Sequence, residues 1–218
     1  RPIGLPIIFG VLWKLGLNPI ISSELISILF AMGCIYLVFI IGKTLYNEQV
    51  GFISALILTI TPVFYYFSSY GFTGIPSTFF ALFGLYFFIK KKYFLTGVLS
   101  SISFLFRFPQ GLLFVIFGLL LFLKTKEKLF DFVIGIFVVV LPFLIFNLFM
   151  YKDMFLPFFE AIPHQANLVH SIIKETWISY LYNFLYYLIE ILKQNLLLLF
   201  GILYFKSKKK ILLPFLLF

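Results

Sequence analysis

Charge is what this sequence has least of. Only 11% of its 218 residues are Asp, Glu, Lys or Arg and 62% are hydrophobic, where an ordinary soluble domain has roughly 25% and 45–50%. No aqueous fold hides that much apolar surface, so a soluble globular domain is excluded. Negative charge is scarcer still, with eight acidic residues against seventeen basic ones. The resulting +9 would suggest nucleic acid in a soluble protein. Here the basic residues punctuate apolar blocks instead of lining one face, so nucleic acid is not an expected partner. Cysteine is nearly missing: Cys34 stands alone inside an apolar block, which excludes an internal disulfide and leaves it a packing role. Period-two alternation is also lacking, which excludes the strands of a membrane barrel.

What is present is a series of apolar blocks of about 15 to 23 residues, close to the roughly 20 that a helix needs to cross the hydrocarbon. They predict spans at 25–42, 50–66, 77–89, 93–106, 109–123, 129–150 and 185–205, with an eighth beginning at Ile211. Residues 2–15 form a shorter apolar stretch ending in Trp13 and Lys14, as an interfacial helix would. The expected fold is all-α: a polytopic transmembrane helical bundle with an outer juxtamembrane helix, in one domain over residues 1–218. Because the chain opens at Arg1 and stops within a new apolar run, it reads as an internal fragment.

Lysine sets the expected orientation. Lys43, the clusters at Lys90 to Lys92 and Lys124 to Lys128, and the run Lys206 to Lys210 should share the cytoplasmic face. Two clusters on one face require an even number of crossings between them. Residues 93–123 must then be a hairpin, with its break at Arg107, Phe108 and Pro109, where proline fixes φ and removes an amide. This leaves the loops near Tyr70 and Arg107, and the long loop at 151–178, on the outer side.

Arginine is the next scarcity, two residues against fifteen lysines. Both Arg1 and Arg107 fall on the expected outer side, where positive charge is disfavoured. A guanidinium offers a permanent planar fork that matches a phosphate, as an ammonium does not. The alternative for Arg107 is snorkelling from a hairpin tip to the interface. Lys152, Asp153, Glu160 and His164 are candidates for a substrate-contacting outer loop. Their competing reading is a solvated pair at a helix end and ordinary surface residues. His164, His170 and Glu160 lack a recognised ligand spacing, so no metal site is read. No cofactor is evident, although a divalent metal is left open. The many tyrosines near the outer face read as an aromatic belt.

A family resemblance rests on order and spacing across nearly the whole chain. The string RPIGLPIIFGVLWKLGL, followed by a span ending IGKTLY, resembles the GT-C superfamily of membrane glycosyltransferases, in its protein-O-mannosyltransferase and aminoarabinose-transferase branch. SSYGFTGIPSTFFALFGLYFF resembles that family's outer loop and following span. TGVLSSISFLFRFPQGLLF resembles its small-residue helix ending in a basic residue and a glycine, and FNLFMYKDMF its outward exit. The resemblance implies transfer of a sugar from a polyprenyl-phosphate donor to an acceptor at the non-cytoplasmic face of what is expected to be the plasma membrane. It also implies a catalytic aspartate upstream of Arg1, so no catalytic residue is named within this chain, and it makes Arg1 and Arg107 the candidates to hold the donor phosphate. The family usually carries an acidic residue where Gly74 stands, which keeps a non-catalytic scaffold open. A transporter or flippase for a lipid-linked substrate is the other alternative.

Overall fold

The computed structural model describes residues 2–155, which form helices and, among the described residues, no strand. The order is α1 (Gly4–Lys14), α2 (Pro19–Leu45), α3 (Glu48–Ile60), α4 (Pro62–Ser69), α5 (Gly74–Ile89), α6 (Tyr93–Phe106), a 3-10 turn (Phe108–Gly111), α7 (Leu112–Lys124) and α8 (Lys126–Tyr151). Five of the predicted spans within this range are continuous helices or the greater part of one. The predicted span at 185–205, the lysine run beyond it and most of the 151–178 loop lie outside the described residues.

One predicted span, 50–66, is divided. α3 and α4 meet at Thr61–Pro62 with a bend of 65°. Pro62 has no amide to continue the ladder, and the residue before a proline is driven out of the helical region; Thr61 accordingly adopts ψ 118. The threonine hydroxyls supply bonds beside the break, Thr59 Oγ1 to the Ala55 carbonyl and Thr61 Oγ1 to the Ile57 carbonyl, each at 2.8 Å.

Each lysine turn is closed locally. Asn47 caps α3 by accepting from the Val50 amide at 2.9 Å, and Lys43 pairs with Glu48 at 3.2 Å across the α2–α3 turn. Lys91 takes the left-handed conformation that ends α5, with φ 58, and the Lys92 amide returns to the Phe87 carbonyl at 2.9 Å. Cations at these helix C-termini also complement the helix dipole.

Small residues bring the helices together, as expected where lipid gives helices no hydrophobic reason to associate. Gly42 and Gly51 let α2 meet α3: a Cβ on Gly42 would stand 2.7 Å from the Gly51 Cα. Between α6 and α8 the approach is backbone to backbone, since a Cβ on Gly97 would overlap the Phe132 carbonyl and one on Gly135 would overlap the Phe94 carbonyl. Thr96, Ser100, Ser101 and Ser103 are fully buried along α6. The space left over is filled by Phe117, Phe132 and Leu121, packed with Phe88 and Leu129.

Two of these serines are expected to differ on substitution. Ser103 Oγ donates to the Ser77 carbonyl across to α5 at 2.7 Å, whereas Ser101 Oγ bonds within its own helix to Gly97 at 2.8 Å. Ser103→Ala should therefore destabilise by about 1 kcal/mol, within the usual range for interhelical bonds in membranes. Ser101→Ala should cost only a few tenths of that, by roughly the same reasoning. Thermal midpoints of both variants in detergent check the difference.

Candidate functional site at the hairpin tip

The bundle has a lysine end and an arginine end. Lys43, Lys90 to Lys92, Lys124 and Lys126 occupy the turns at one end, while α5 starts and α6 finishes at the other. Cys34 Sγ lies 3.9 Å from the Ile75 carbonyl, tying α2 to the first turn of α5, and Ser103 ties α6 to the same turn. Phe106 stacks on Phe80 with centroids 5.4 Å apart and meets Phe30 edge-on at 6.2 Å. These contacts fix where the chain leaves α6.

Arg107 is the residue that leaves. Its amide still donates to the Ser103 carbonyl at 3.0 Å, but its backbone is extended at φ −154, ψ 111, and its own carbonyl accepts from the Gln110 amide at 3.0 Å. The helix therefore stops at Phe106 and a 3-10 turn containing Pro109 reverses the chain, as the sequence predicts. The Arg107 side chain is exposed. Its Nη1 lies 3.9 Å from where a Cβ on Gly74 would be, which places the guanidinium at the N-terminus of α5.

That neighbourhood is electropositive. α5 has no acidic residue in its first turn, and Thr73 gives it no side-chain cap; the positive end of a helix dipole thus faces a guanidinium. The Ser77 and Thr78 hydroxyls both donate to the Gly74 carbonyl at 2.9 Å, holding the first turn in shape. The charge suits an anion, and a phosphate accepting from a fork of N–H donors fits it best. An acidic side chain at position 74 would fill this role internally. Gly74→Asp should therefore pair with Arg107 and couple to it by about 0.5–1 kcal/mol, the range of an exposed pair. A double-mutant cycle with Arg107→Gln, read by thermal midpoints, checks this.

The other candidates are placed differently. Arg1, Glu160 and His164 lie outside the described residues. The segment that follows Arg1 does reach the tip: a Cβ on Gly4 would stand 2.9 Å from Phe106 Cγ and 3.1 Å from the Leu105 carbonyl. Lys152 and Asp153 are at the end of α8 and make no ion pair with each other. Lys152 ends the helix with φ 56 and donates its amide to the Leu148 carbonyl at 3.0 Å, while Asp153 Oδ1 accepts from the Phe155 amide at 2.8 Å. Both act as backbone caps here. Asn147, which the sequence reading passes over, is buried and donates to the Met154 carbonyl at 3.2 Å, folding this turn back on α8. An asparagine in an otherwise apolar helix was the signal. At the opposite end, burial pushes the Tyr46 phenol above its ordinary pKa.

The exterior identifies the surroundings. α2 and α8 are long and apolar enough to cross a membrane, and their outward faces carry side chains such as Leu29 and Phe130, which are 62% and 70% exposed. A helical bundle with so apolar an exterior is an integral membrane protein. The family model of the dolichyl-phosphate-mannose-protein mannosyltransferases matches residues 1–150, and the chain belongs to that family. It is in general terms a mannosyltransferase-type glycosyltransferase, of a family whose name carries a lipid-linked sugar donor. No curated protein and no solved structure matches the chain.

Proposed function

We propose that the protein transfers a sugar from a polyprenyl-phosphate carrier to an acceptor at the non-cytoplasmic face, with Arg107 binding the carrier phosphate. The observation that carries this reading is the guanidinium at the N-terminus of α5, with no carboxylate at position 74 to neutralise it. In the transfer, the bond between the sugar C1 and the phosphate oxygen breaks and a bond from C1 to the acceptor oxygen forms. The acceptor proton goes to a carboxylate base, which the family resemblance implies upstream of Arg1. Negative charge grows on the departing phosphate, and a preorganised cation beside it lowers the barrier. Arg1 is the natural second cation, because the segment that follows it packs on Phe106.

The lysine turns at one end of the bundle support an orientation with the arginine end outward. The full-length protein, reconstituted in vesicles with a labelled polyprenyl-phosphate mannose, should move label into a non-lipid fraction once a membrane extract supplies acceptor. It should leave a nucleotide sugar unused. Label crossing the bilayer while still attached to lipid would show a flippase and reject the transferase reading. A second reading, a scaffold that keeps the fold without the chemistry, is favoured by Gly74 alone and predicts no movement of label at all.

A further inference from the structure

The three lysine turns are not equivalent. Lys43 is neutralised by Glu48, 3.2 Å away across the α2–α3 turn. In the α7–α8 turn Lys128 pairs with Asp131 at 3.6 Å, and Glu127 stands in the first turn of α8. Lys90, Lys91 and Lys92 have no such neighbour. No Asp or Glu occurs in the sequence between Glu48 and Glu127, and among the described residues no carboxylate comes within ion-pair distance of the three. Orientation in the membrane depends on lysine whether or not an acid stands beside it. It therefore does not account for three adjacent ammoniums left without one.

The α5–α6 turn holds these cations against the end of α5. Lys90 Nζ lies 5.8 Å from the centroid of the Tyr86 ring and Lys92 Nζ 5.9 Å from that of Phe87. The two rings are neighbours, with centroids 5.5 Å apart. Both lysine stems thus fold back along α5 instead of reaching out into water. The backbone fixes this arrangement, since the Lys90 amide donates to the Tyr86 carbonyl at 3.0 Å and the Lys92 amide to the Phe87 carbonyl at 2.9 Å. Between them Lys91 takes the left-handed conformation, φ 58, in a slot that glycine fills more readily. A ring face attracts an ammonium without neutralising it. The charge of Lys90 and Lys92 therefore remains available to an anion at the apolar end of the helix.

The surface beside the turn is apolar. Phe94, in the first turn of α6, is exposed. Phe88 stacks on Phe117 with centroids 4.9 Å apart, which places α7 alongside the end of α5. From there α7 runs on to Lys124 and exposes Leu119, Phe122 and Leu123. Its turn into α8 repeats the arrangement, with Lys126 Nζ 4.9 Å from the centroid of the Phe122 ring. Exposed apolar side chains in an integral membrane protein are covered by acyl chains. Those chains carry their own headgroups to the level at which the ammoniums are held, so a lipid phosphate meets this site in preference to an anion from solution.

We propose that the α5–α6 turn binds an anionic phospholipid of the leaflet at the lysine end. The lipid phosphodiester accepts from the ammoniums of Lys90, Lys91 and Lys92, and the acyl chains lie along Phe94 and the exposed side chains of α7. Bound there, the phosphate offsets the repulsion among three adjacent like charges. A lysine close to an anionic membrane surface contributes roughly fivefold in affinity, so the three together contribute on the order of a hundredfold. The α2–α3 turn is excluded from the site, because Glu48 already occupies Lys43. The site lies at the opposite end of the bundle from Arg107 and is independent of the sugar-transfer reading.

The experiment uses the full-length protein in phosphatidylcholine nanodiscs, which leave both faces open, with and without phosphatidylglycerol. A water-soluble amine-acylating reagent is applied and its products are read peptide by peptide. Phosphatidylglycerol should slow acylation of Lys90, Lys91 and Lys92 at least fivefold and that of Lys43 less than twofold. Equal slowing at Lys43 would show a general surface potential and overturn the site. Equal protection of Lys90 to Lys92 by inorganic phosphate in phosphatidylcholine alone would show a site for soluble anions and reject the lipid. A second measurement counts the phosphatidylglycerol retained through delipidation, by native mass spectrometry. Lys91→Gly with Lys92→Gln should fold, because glycine suits the left-handed slot, and should lower retention roughly 25-fold. Lys91→Arg with Lys92→Arg should preserve it, as should Lys43→Gln. Undiminished retention in the Gly and Gln variant overturns the proposal.

Discussion

Gly135→Val should leave almost no folded protein in the membrane. The Cβ alone would fall on the Phe94 carbonyl, with the Val98 amide nitrogen 3.0 Å away, and both are backbone atoms of α6 that cannot rotate aside. The helices must separate, and α6 then loses its contacts along the face that carries Gly97. Overpacking a filled core usually costs 1–3 kcal/mol and occasionally more. With backbone on both sides we expect about 3 kcal/mol or more, or at least about a hundredfold in the folded fraction. Gly97→Val should act alike, since its Cβ would meet the Phe132 carbonyl. Gly10→Val is the control, because nothing lies within 4 Å of its Cβ position. Monodisperse yield after mild detergent extraction reads all three. A normal yield for Gly135→Val would mean that α6 and α8 do not meet in this way.

Arg107→Ala should slow transfer by roughly 30-fold to 1000-fold, because a charge-assisted contact that strengthens as phosphate departs contributes on the order of 2–4 kcal/mol. Arg107→Lys keeps the charge and loses the paired N–H donors, so it should fall between the two. Folded yield should change little, since the exposed side chain fills no core position and makes no ion pair among the described residues. The assay is sugar transfer from a defined polyprenyl-phosphate donor by full-length protein, normalised to folded material. Wild-type transfer by Arg107→Ala would leave snorkelling as the account of this residue.

How much of this was legible beforehand varies with the physics involved. Helices follow from apolar block length, and the reversal after Phe106 from the lysine clusters together with Pro109, because charge placement and a missing amide are local properties of sequence. The bend at Pro62 is not legible in hydropathy, which does not fall across Thr61–Pro62. The informative signal was stereochemical, a proline preceded by a residue forced out of the helix. Arg107 stood out by rarity alone. Its proximity to Gly74 did not, since the two lie in different helices and depend on how α5 and α6 pair. That Asp153 accepts from the Phe155 amide, while Lys152 closes α8 through its backbone amide, is also not legible beforehand, because both depend on the turn that the backbone takes there. The Gly97–Gly135 contact is likewise invisible in sequence, where each is a lone glycine in an apolar run.

The burial of α6 has a bearing on how the protein is made. Its hydroxyl-rich face is covered on one side by α5, which is synthesised before it, and on the other by α8, which is synthesised after α7 has followed. For the interval in which α8 is not yet complete, the Gly97 side of that helix has no packing partner, although Ser101 Oγ is already bonded within α6 to the Gly97 carbonyl. The Ser103 bond to Ser77 and the Gly84–Ser100 contact are formed entirely with α5. They can hold α6 against its predecessor while the ribosome is still supplying the rest. Sequential insertion is the expected result, with α5 and α6 entering as a pair and α8 closing over them afterwards. Mutations at the α5–α6 contact should accordingly appear as failures of insertion, and those at the α6–α8 contact as failures of assembly after insertion.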